Sequence, residues 1–109
     1  KISKRFDDDI SSVCAAFNLE IVKNKVKSIR IAYGGMAAVP KRAISCEKVF
    51  LNSFFTEDIL SKGKEALKKD FKPISDMRAS GLYRMEVAKN LLEKCFVEIK
   101  ENKSIGVYG

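Results

Sequence analysis

The sequence predicts an α+β fold, a small antiparallel sheet of about three strands covered on one face by three helices. Apolar residues alternate with a period of two up to Tyr33, which is typical of strands, and recur at helical spacing after Pro40. The 109 residues form at most one domain, residues 1–109, and their hydrophobic fraction of 46% is enough for a modest core.

Two adjacent segments predict an antiparallel hairpin. Residues 12–22 and 26–33 each place apolar side chains on one face, namely Val13, Ala15, Phe17, Leu19 and Ile21, and then Ile29, Ile31 and Tyr33. Asn24 in the polar connection tolerates the left-handed backbone of a tight turn. Because two strands make a poor sheet, residues 1–6 are predicted to form a third.

Three segments after Pro40 have helical periodicity. Residues 42–52 predict a short helix, and Thr56 is a suitable N-cap for a second helix that Pro73 ends. Gly63 within the second helix predicts a close contact with another helix. Ser80 is expected to cap a long third helix, whose apolar stripe contains Met85, Ala88, Leu92, Cys95 and Ile99, with Leu91 and Phe96 beside it.

The net charge of +7 lies mainly in residues 23–48, where seven basic residues accompany a single acid, Glu47. Such a segment suits either a nucleic-acid groove or a solvated, partner-facing surface. Since Tyr33 is the only aromatic residue in it that could stack on bases, we favour the second interpretation. No run of apolar residues is long enough to cross a membrane.

The three cysteines are isolated, and the chain has no histidine. Zinc and iron–sulfur spacing are therefore both absent, so no metal site is predicted. We expect Cys14, Cys46 and Cys95 to be buried thiols in a reducing compartment, the cytoplasm. Of the three, Cys14 is the least favourably placed for burial, because it lies opposite the apolar face of its strand.

Three short motifs allow more than one interpretation. Gly34-Gly35 could cradle a phosphate, but we favour a bend that releases the chain from the sheet. The acidic run Arg5–Ile10 predicts a charged loop after the first strand, which could face a charged ligand. Residues 75–84 place Asp76 and Arg78 near a helix start, where an Asp–Arg pair would hold the loop down.

Residues 1–19, 29–48 and 70–94 resemble, in this order, the C-terminal domain of the FAD-binding subunit of xanthine dehydrogenases and other molybdenum hydroxylases, including the carbon monoxide dehydrogenase flavoproteins. The resemblance covers nearly all of residues 1–102. It implies a subunit that passes electrons from [2Fe–2S] clusters, reduced by a molybdopterin centre, through FAD to NAD. It also implies that upstream domains hold most of the FAD, so that this chain alone binds no cofactor and is inactive.

The resemblance implies one flavin-contacting residue. The pattern K-x-x-x-R-x-x-D-D-I is matched by Lys1, Arg5, Asp8, Asp9 and Ile10, and its lysine contacts the flavin in xanthine dehydrogenases. A cation at that position would stabilise the anionic reduced flavin, and a carboxylate would oppose it. Lys1 is therefore the expected FAD-binding residue, and Arg5 and Asp8 are expected to tune the flavin from one loop.

Two other functions stay open at this stage. The chain could be a small basic module that binds nucleic acid or an acidic partner protein, in which case binding to DNA would depend steeply on salt. It could also be a separate subunit that docks with the FAD-binding domains and, with them, the iron–sulfur and molybdenum subunits.

Overall fold

The computed structural model describes residues 2–8, 12–37, 39–72 and 81–103. The described strands are β1 (Ile2–Asp8), β2 (Val13–Val22), β3 (Lys25–Gly34) and β4 (Lys41–Arg42), and the helices are α1 (Ile44–Phe50), α2 (Glu57–Asp70) and α3 (Gly81–Lys103). The strands form one antiparallel sheet in the order β1-β2-β3-β4. The predicted α+β class is confirmed, with four strands in place of about three.

The first strand is longer than the sequence predicted. Asp7 and Asp8 pair with Cys14 and Val13 of β2, so these aspartates belong to β1 and not to a loop after it. In an antiparallel pair every second residue directs both its backbone N–H and its C=O at the partner strand, so pairing with β2 satisfies part of the backbone here, and this gain outweighs the low strand propensity of aspartate. Alternation also places the two carboxylates on opposite faces of the sheet, which reduces their repulsion.

The β2–β3 hairpin closes as predicted. Lys23 and Asn24 have φ angles of 51° and 66°, the left-handed values that a two-residue hairpin turn requires at both positions. The pairing register shifts between Glu20 and Ile21, where a bulge lies.

The helices cover the face of the sheet that carries the alternating apolar side chains. Every residue of the predicted α3 stripe is buried. Tyr33 on β3 donates a 2.7 Å hydrogen bond to the Ala88 carbonyl of α3, which joins the sheet to this helix. The Thr56 side chain accepts from the Ile59 N–H and caps α2, as predicted. Pro73 and Ser80 lie outside the described residues.

Gly63 lies where α1 and α2 meet. A Cβ atom at this position would lie 2.5 Å from Cε2 of the buried Phe50, so the close helix contact that the sequence predicted is confirmed. No residue with a larger side chain fits there unless the Phe50 ring moves.

Two buried carboxylates fix the junction between β4 and α1. Asp70, at the end of α2, accepts from the backbone N–H groups of Ser45 and Cys46 at 2.7 and 2.9 Å, and so caps α1, whose own N-cap Ala43 has no polar side chain. Glu47 accepts from the Ile31 N–H at 2.8 Å and from Arg42. These contacts hold the two-residue strand β4 against β3.

Candidate functional site

The structure separates two of the expected site residues, Arg5 and Asp8, which the sequence placed in one loop. Lys1 lies outside the described residues, whereas Arg5 and Asp8 both lie in the extended strand β1. Arg5 is on the face of the sheet away from the helices, and Asp8 is on the opposite face. Ile2 and Asp8 stand at opposite ends of β1, about 20 Å apart at the usual rise of a strand.

Arg5 belongs to a face of the sheet that no described helix covers. The register places it in one row with Ala16, Ala32 and Arg42 across the four strands. Ser3, Asn18 and Arg30 form the neighbouring row. The two rows border a shallow depression of about 500 Å³, which we call the cationic face.

The arginines of the cationic face differ in how they are paired. Arg42 makes a two-bond contact with Glu47, at 3.0 and 2.6 Å, and this hydrogen bonding raises the pKa of its guanidinium above the ordinary value. About half of the Arg42 side chain stays exposed. Arg5 and Arg30 are exposed, and neither contacts a carboxylate of the described residues. The face therefore has cationic groups that can accept an anionic partner.

The basic segment, residues 23–48, exposes all of its cationic side chains. The only acid of the segment, Glu47, is buried. The seven basic residues are exposed: Lys23, Lys25, Lys27, Arg30, Lys41, Arg42 and Lys48. Lys41 also donates to the Asp70 carbonyl at 2.9 Å and lies over the Phe71 ring. This distribution agrees with the predicted solvated or partner-facing surface.

The cysteines fall into two environments. Cys46 and Cys95 are buried, and burial raises the thiol pKa of both above the ordinary value, to about 12 for Cys95. Cys14 is half-buried and lies on the open face of the sheet, so the prediction of a buried thiol holds only in part there. Within the described ranges, no group of three or more acidic, cysteine or histidine residues could hold a metal ion.

The glycine pair forms a structural corner. Gly35 has a φ of 85°, and a Cβ atom there would lie 2.3 Å from the Ser12 carbonyl oxygen, so glycine is required by conformation and by space. The chain bends at this point but returns to the sheet as β4, whereas the sequence predicted that it leaves the sheet. Asp76 and Arg78 lie outside the described residues.

The described residues can provide one wall of a cofactor site. The apolar cavity between the sheet and α3, which Phe17, Leu92 and Phe96 help to line, has a volume of about 10 Å³, which accommodates about one water molecule. The depression of the cationic face is larger but open to solvent. A ligand of the size of FAD requires a largely enclosed pocket. Other protein surfaces would therefore have to complete any flavin site to which these residues contribute. No helix within the described ranges is long and apolar enough to cross a membrane.

Comparison with protein families gives a match over nearly the whole chain. Residues 1–99 match the model of the CO dehydrogenase flavoprotein C-terminal domain. The chain therefore belongs to this family, as the sequence motifs indicated. It is also 33% identical over 100 residues to the glyceraldehyde dehydrogenase medium chain of Sulfolobus acidocaldarius. That alignment covers 91% of this chain and 35% of the relative, so the chain spans about a third of the relative's length.

Solved structures share the fold. A carbon monoxide dehydrogenase from Hydrogenophaga pseudoflava, which lacks the Mo-pyranopterin moiety of its cofactor, aligns with a TM-score of 0.77 at 20% identity, over 84% of this chain and 34% of that chain. Quinoline 2-oxidoreductase from Pseudomonas putida 86 aligns with a TM-score of 0.76 at 19% identity, over 88% of this chain and 35% of that chain. At these identities the likeness concerns the fold alone.

Proposed function

We propose that this chain is the C-terminal domain of the FAD-binding subunit of a xanthine dehydrogenase-type molybdenum hydroxylase. The observation that carries the proposal is the family match over residues 1–99, and the relative described as a medium chain supports it. In this proposal the complete enzyme passes electrons from a molybdopterin centre through [2Fe–2S] clusters and FAD to NAD. The domain contributes surface and charge to that path, and it has no activity by itself.

We also propose where the chain meets the cofactor. FAD, when bound in the complete subunit, accepts electrons from the clusters and delivers them to the acceptor. Lys1 contacts the flavin, and Arg5 adds a second positive charge from the open face of β1. Asp8 opposes them only weakly, because β1 extends for about 20 Å between Ile2 and Asp8. The free thiols Cys46 and Cys95 support a reducing compartment, the cytoplasm, for the enzyme.

The test is the flavin potential of the complete flavoprotein with single substitutions in this domain. Removing a positive charge in contact with the flavin costs about 1 to 4 kcal/mol, so Lys1→Met should lower the potential by roughly 40 to 170 mV for a one-electron couple. Asp8→Asn removes an anion about 20 Å further along the strand and should raise the potential by only ~10 to 30 mV. A flavin of lower potential is reduced less readily by the clusters, so electron delivery to NAD should also slow more in Lys1→Met than oxidation of the substrate at molybdenum.

The relative sizes of the two shifts in flavin potential test where the flavin lies along β1. Equal shifts from Lys1→Met and Asp8→Asn would place the flavin near the middle of β1, against the proposed contact with Lys1. Potentials that stay at the parent value in both variants would remove this domain from the electron path. The proposal would then reduce to a structural role within the same subunit.

A further inference from the structure

The cationic face combines charge and shape in a way that the core does not require. Three arginines, Arg5, Arg30 and Arg42, surround a floor made of Ala16 and Ala32, which are direct cross-strand partners. Arg5 and Arg42 end the same four-strand row, so their Cα atoms lie about 14 Å apart at the usual strand spacing. The depression between them therefore has the width of a protruding loop or helix end.

The alanine floor is unusual for a sheet face that meets water. Alanine is depleted in strands, because its small side chain covers little of the pleated surface. Larger polar or β-branched side chains would shield the backbone of β2 and β3 better. The small residues instead leave room above the sheet, where side chains of an incoming surface can reach the guanidinium groups at the rim. Asn18 offers a further hydrogen-bonding group beside Arg30.

The charges on this face select an anionic occupant. The side chains that border the depression carry no carboxylate. Among the described residues of the same face, the acids Asp7 and Glu20 lie one row beyond the arginines at opposite ends. Planar guanidinium groups form two-bond contacts with carboxylates, and Arg42 already makes such a contact with Glu47.

Other occupants fit the face less well. A second copy of this chain would bring together two surfaces of a protein with a net charge of +7. The described part of the face exposes no aromatic side chain on which bases could stack, and no large apolar side chain that could enter a lipid surface. An acidic protein surface needs neither.

We propose that the cationic face is the docking surface for an acidic patch on the remaining two thirds of the flavoprotein. This inference depends on the proposed function, since that proposal makes the chain one domain of a larger subunit. The chain spans about a third of the medium-chain relative, so under that proposal the remaining portion corresponds to the other two thirds. Aspartate or glutamate side chains of that portion enter over Ala16 and Ala32 and pair with Arg5 and Arg30.

The test is zero-length crosslinking in the complete flavoprotein. A carbodiimide joins lysine amines to nearby carboxylates but does not react in this way with arginine, so Arg30→Lys and Arg5→Lys each place a reporter on the cationic face. We expect new isopeptide bonds from positions 30 and 5 to aspartate or glutamate residues of the remaining portion, identified by mass spectrometry. Lys62 and Lys69, which lie exposed on α2, serve as native controls, and they should not crosslink to the same carboxylates.

A pair of matched charge variants completes the test. The double variants Arg5→Glu/Arg30→Glu and Lys62→Glu/Lys69→Glu lower the net charge equally, but only the first should weaken the contact, seen as faster proteolysis between this domain and the rest. The proposal would be overturned if positions 5 and 30 formed no crosslinks, or crosslinked only to another subunit or to a second copy. Loss of nucleic-acid binding as the sole effect of the arginine variants would overturn it as well. The Lys1→Met potential is measured separately, so failure of the docking proposal and failure of the proposed function can be told apart.

Discussion

At the scale of single residues, the three thiols differ because two of them lie on the buried sides of helices and the third lies on the open face of the sheet. Cys46 belongs to α1 and Cys95 to α3, and both are buried, whereas Cys14 is half-buried on the open face of β2. The period-two pattern of β2 already placed Cys14 opposite Val13 and Phe17. A thiol reacts only where a reagent can reach it and where its thiolate forms.

A labelling experiment follows from this difference. In the native chain, a thiol reagent at neutral pH should modify Cys14 and leave Cys46 and Cys95 unmodified until the chain is denatured. Peptide mapping of the labelled protein identifies each site. Cys14→Ala serves as the control, because native labelling should then disappear. Equal labelling rates at all three sites in the folded protein would contradict the burial of Cys46 and Cys95.

The same burial predicts a loss of stability in alkaline solution. The pKa of Cys95 is raised from its usual value of 9.0 to about 12 by burial, and that of Cys46 is raised for the same reason. Below pH 9 both thiols are protonated in the native and unfolded states, and their contribution to stability is fully present. Above pH 9 the unfolded state releases protons that the native state keeps, so stability is lost as the pH rises toward the native pKa.

The expected loss is large enough to measure. Each thiol should reduce the free energy of unfolding by up to ~1.4 kcal/mol per pH unit above pH 9, so the two together cost about 3 kcal/mol at pH 10. Urea unfolding at pH 7.5 and pH 10 measures the difference. A Cys46→Ala/Cys95→Ala variant, although less stable at pH 7.5, should lose much less between the two values. A pH-independent parent would show that neither thiol is excluded from water.

At the scale of elements, the junction of β4 and α1 depends on carboxylates that come from elsewhere in the chain. Asp70→Ala removes the acceptor for the N–H groups of Ser45 and Cys46 and should cost about 1 to 3 kcal/mol in urea unfolding. Asp70→Asn keeps one acceptor oxygen and should cost less. Glu65→Ala is the control, because Glu65 forms only an exposed i,i+3 pair with Lys68. Its free energy of unfolding should stay within ~0.5 kcal/mol of the parent. Equal costs for Asp70→Ala and Glu65→Ala would exclude the capping role.

Local periodicity explains which elements the sequence predicted and which it did not. The strands β2 and β3 and the three helices are each long enough to show a period of two or about 3.6, so their apolar faces could be predicted. The strand β4 has two residues and no period, and it exists because Glu47 reaches Ile31 and Arg42. The end of β1 was missed because pairing with β2 overrides the low strand propensity of aspartate.

At the scale of the whole molecule, the candidate site depends on register more than on motif. Alternation alone places Arg30 and Ala32 on the face opposite Ile31. It does not reveal that Arg5, Ala16, Ala32 and Arg42 share one row, because that alignment depends on the hairpin turn, the bulge at Glu20 and Ile21, and the unpredicted strand β4. The acidic run Arg5–Ile10 was predicted to form one loop, yet β1 extends to Asp8 and directs Arg5 and Asp8 to opposite faces.

The openness of the cationic face determines what this chain can bind by itself. A depression of about 500 Å³ that faces solvent can contact one side of a flavin, but tight binding of a ligand of that size requires burial of most of its surface. We therefore expect the isolated chain to bind FAD no more tightly than Kd ~1 mM, or about −4 kcal/mol.

Flavin fluorescence titration of the isolated chain, with circular dichroism to verify that it is folded, measures this affinity. Any weak binding should come from attraction between the arginines and the FAD phosphates, so it should fall with added salt and fall further in Arg5→Gln/Arg30→Gln. The matched variant Lys62→Gln/Lys69→Gln has the same net charge and should bind like the parent. A Kd near 1 μM, about −8 kcal/mol, that does not change with salt would mean that the domain encloses the flavin by itself. The flavin site would then lie within this chain, and the proposal that other domains hold most of the FAD would be wrong.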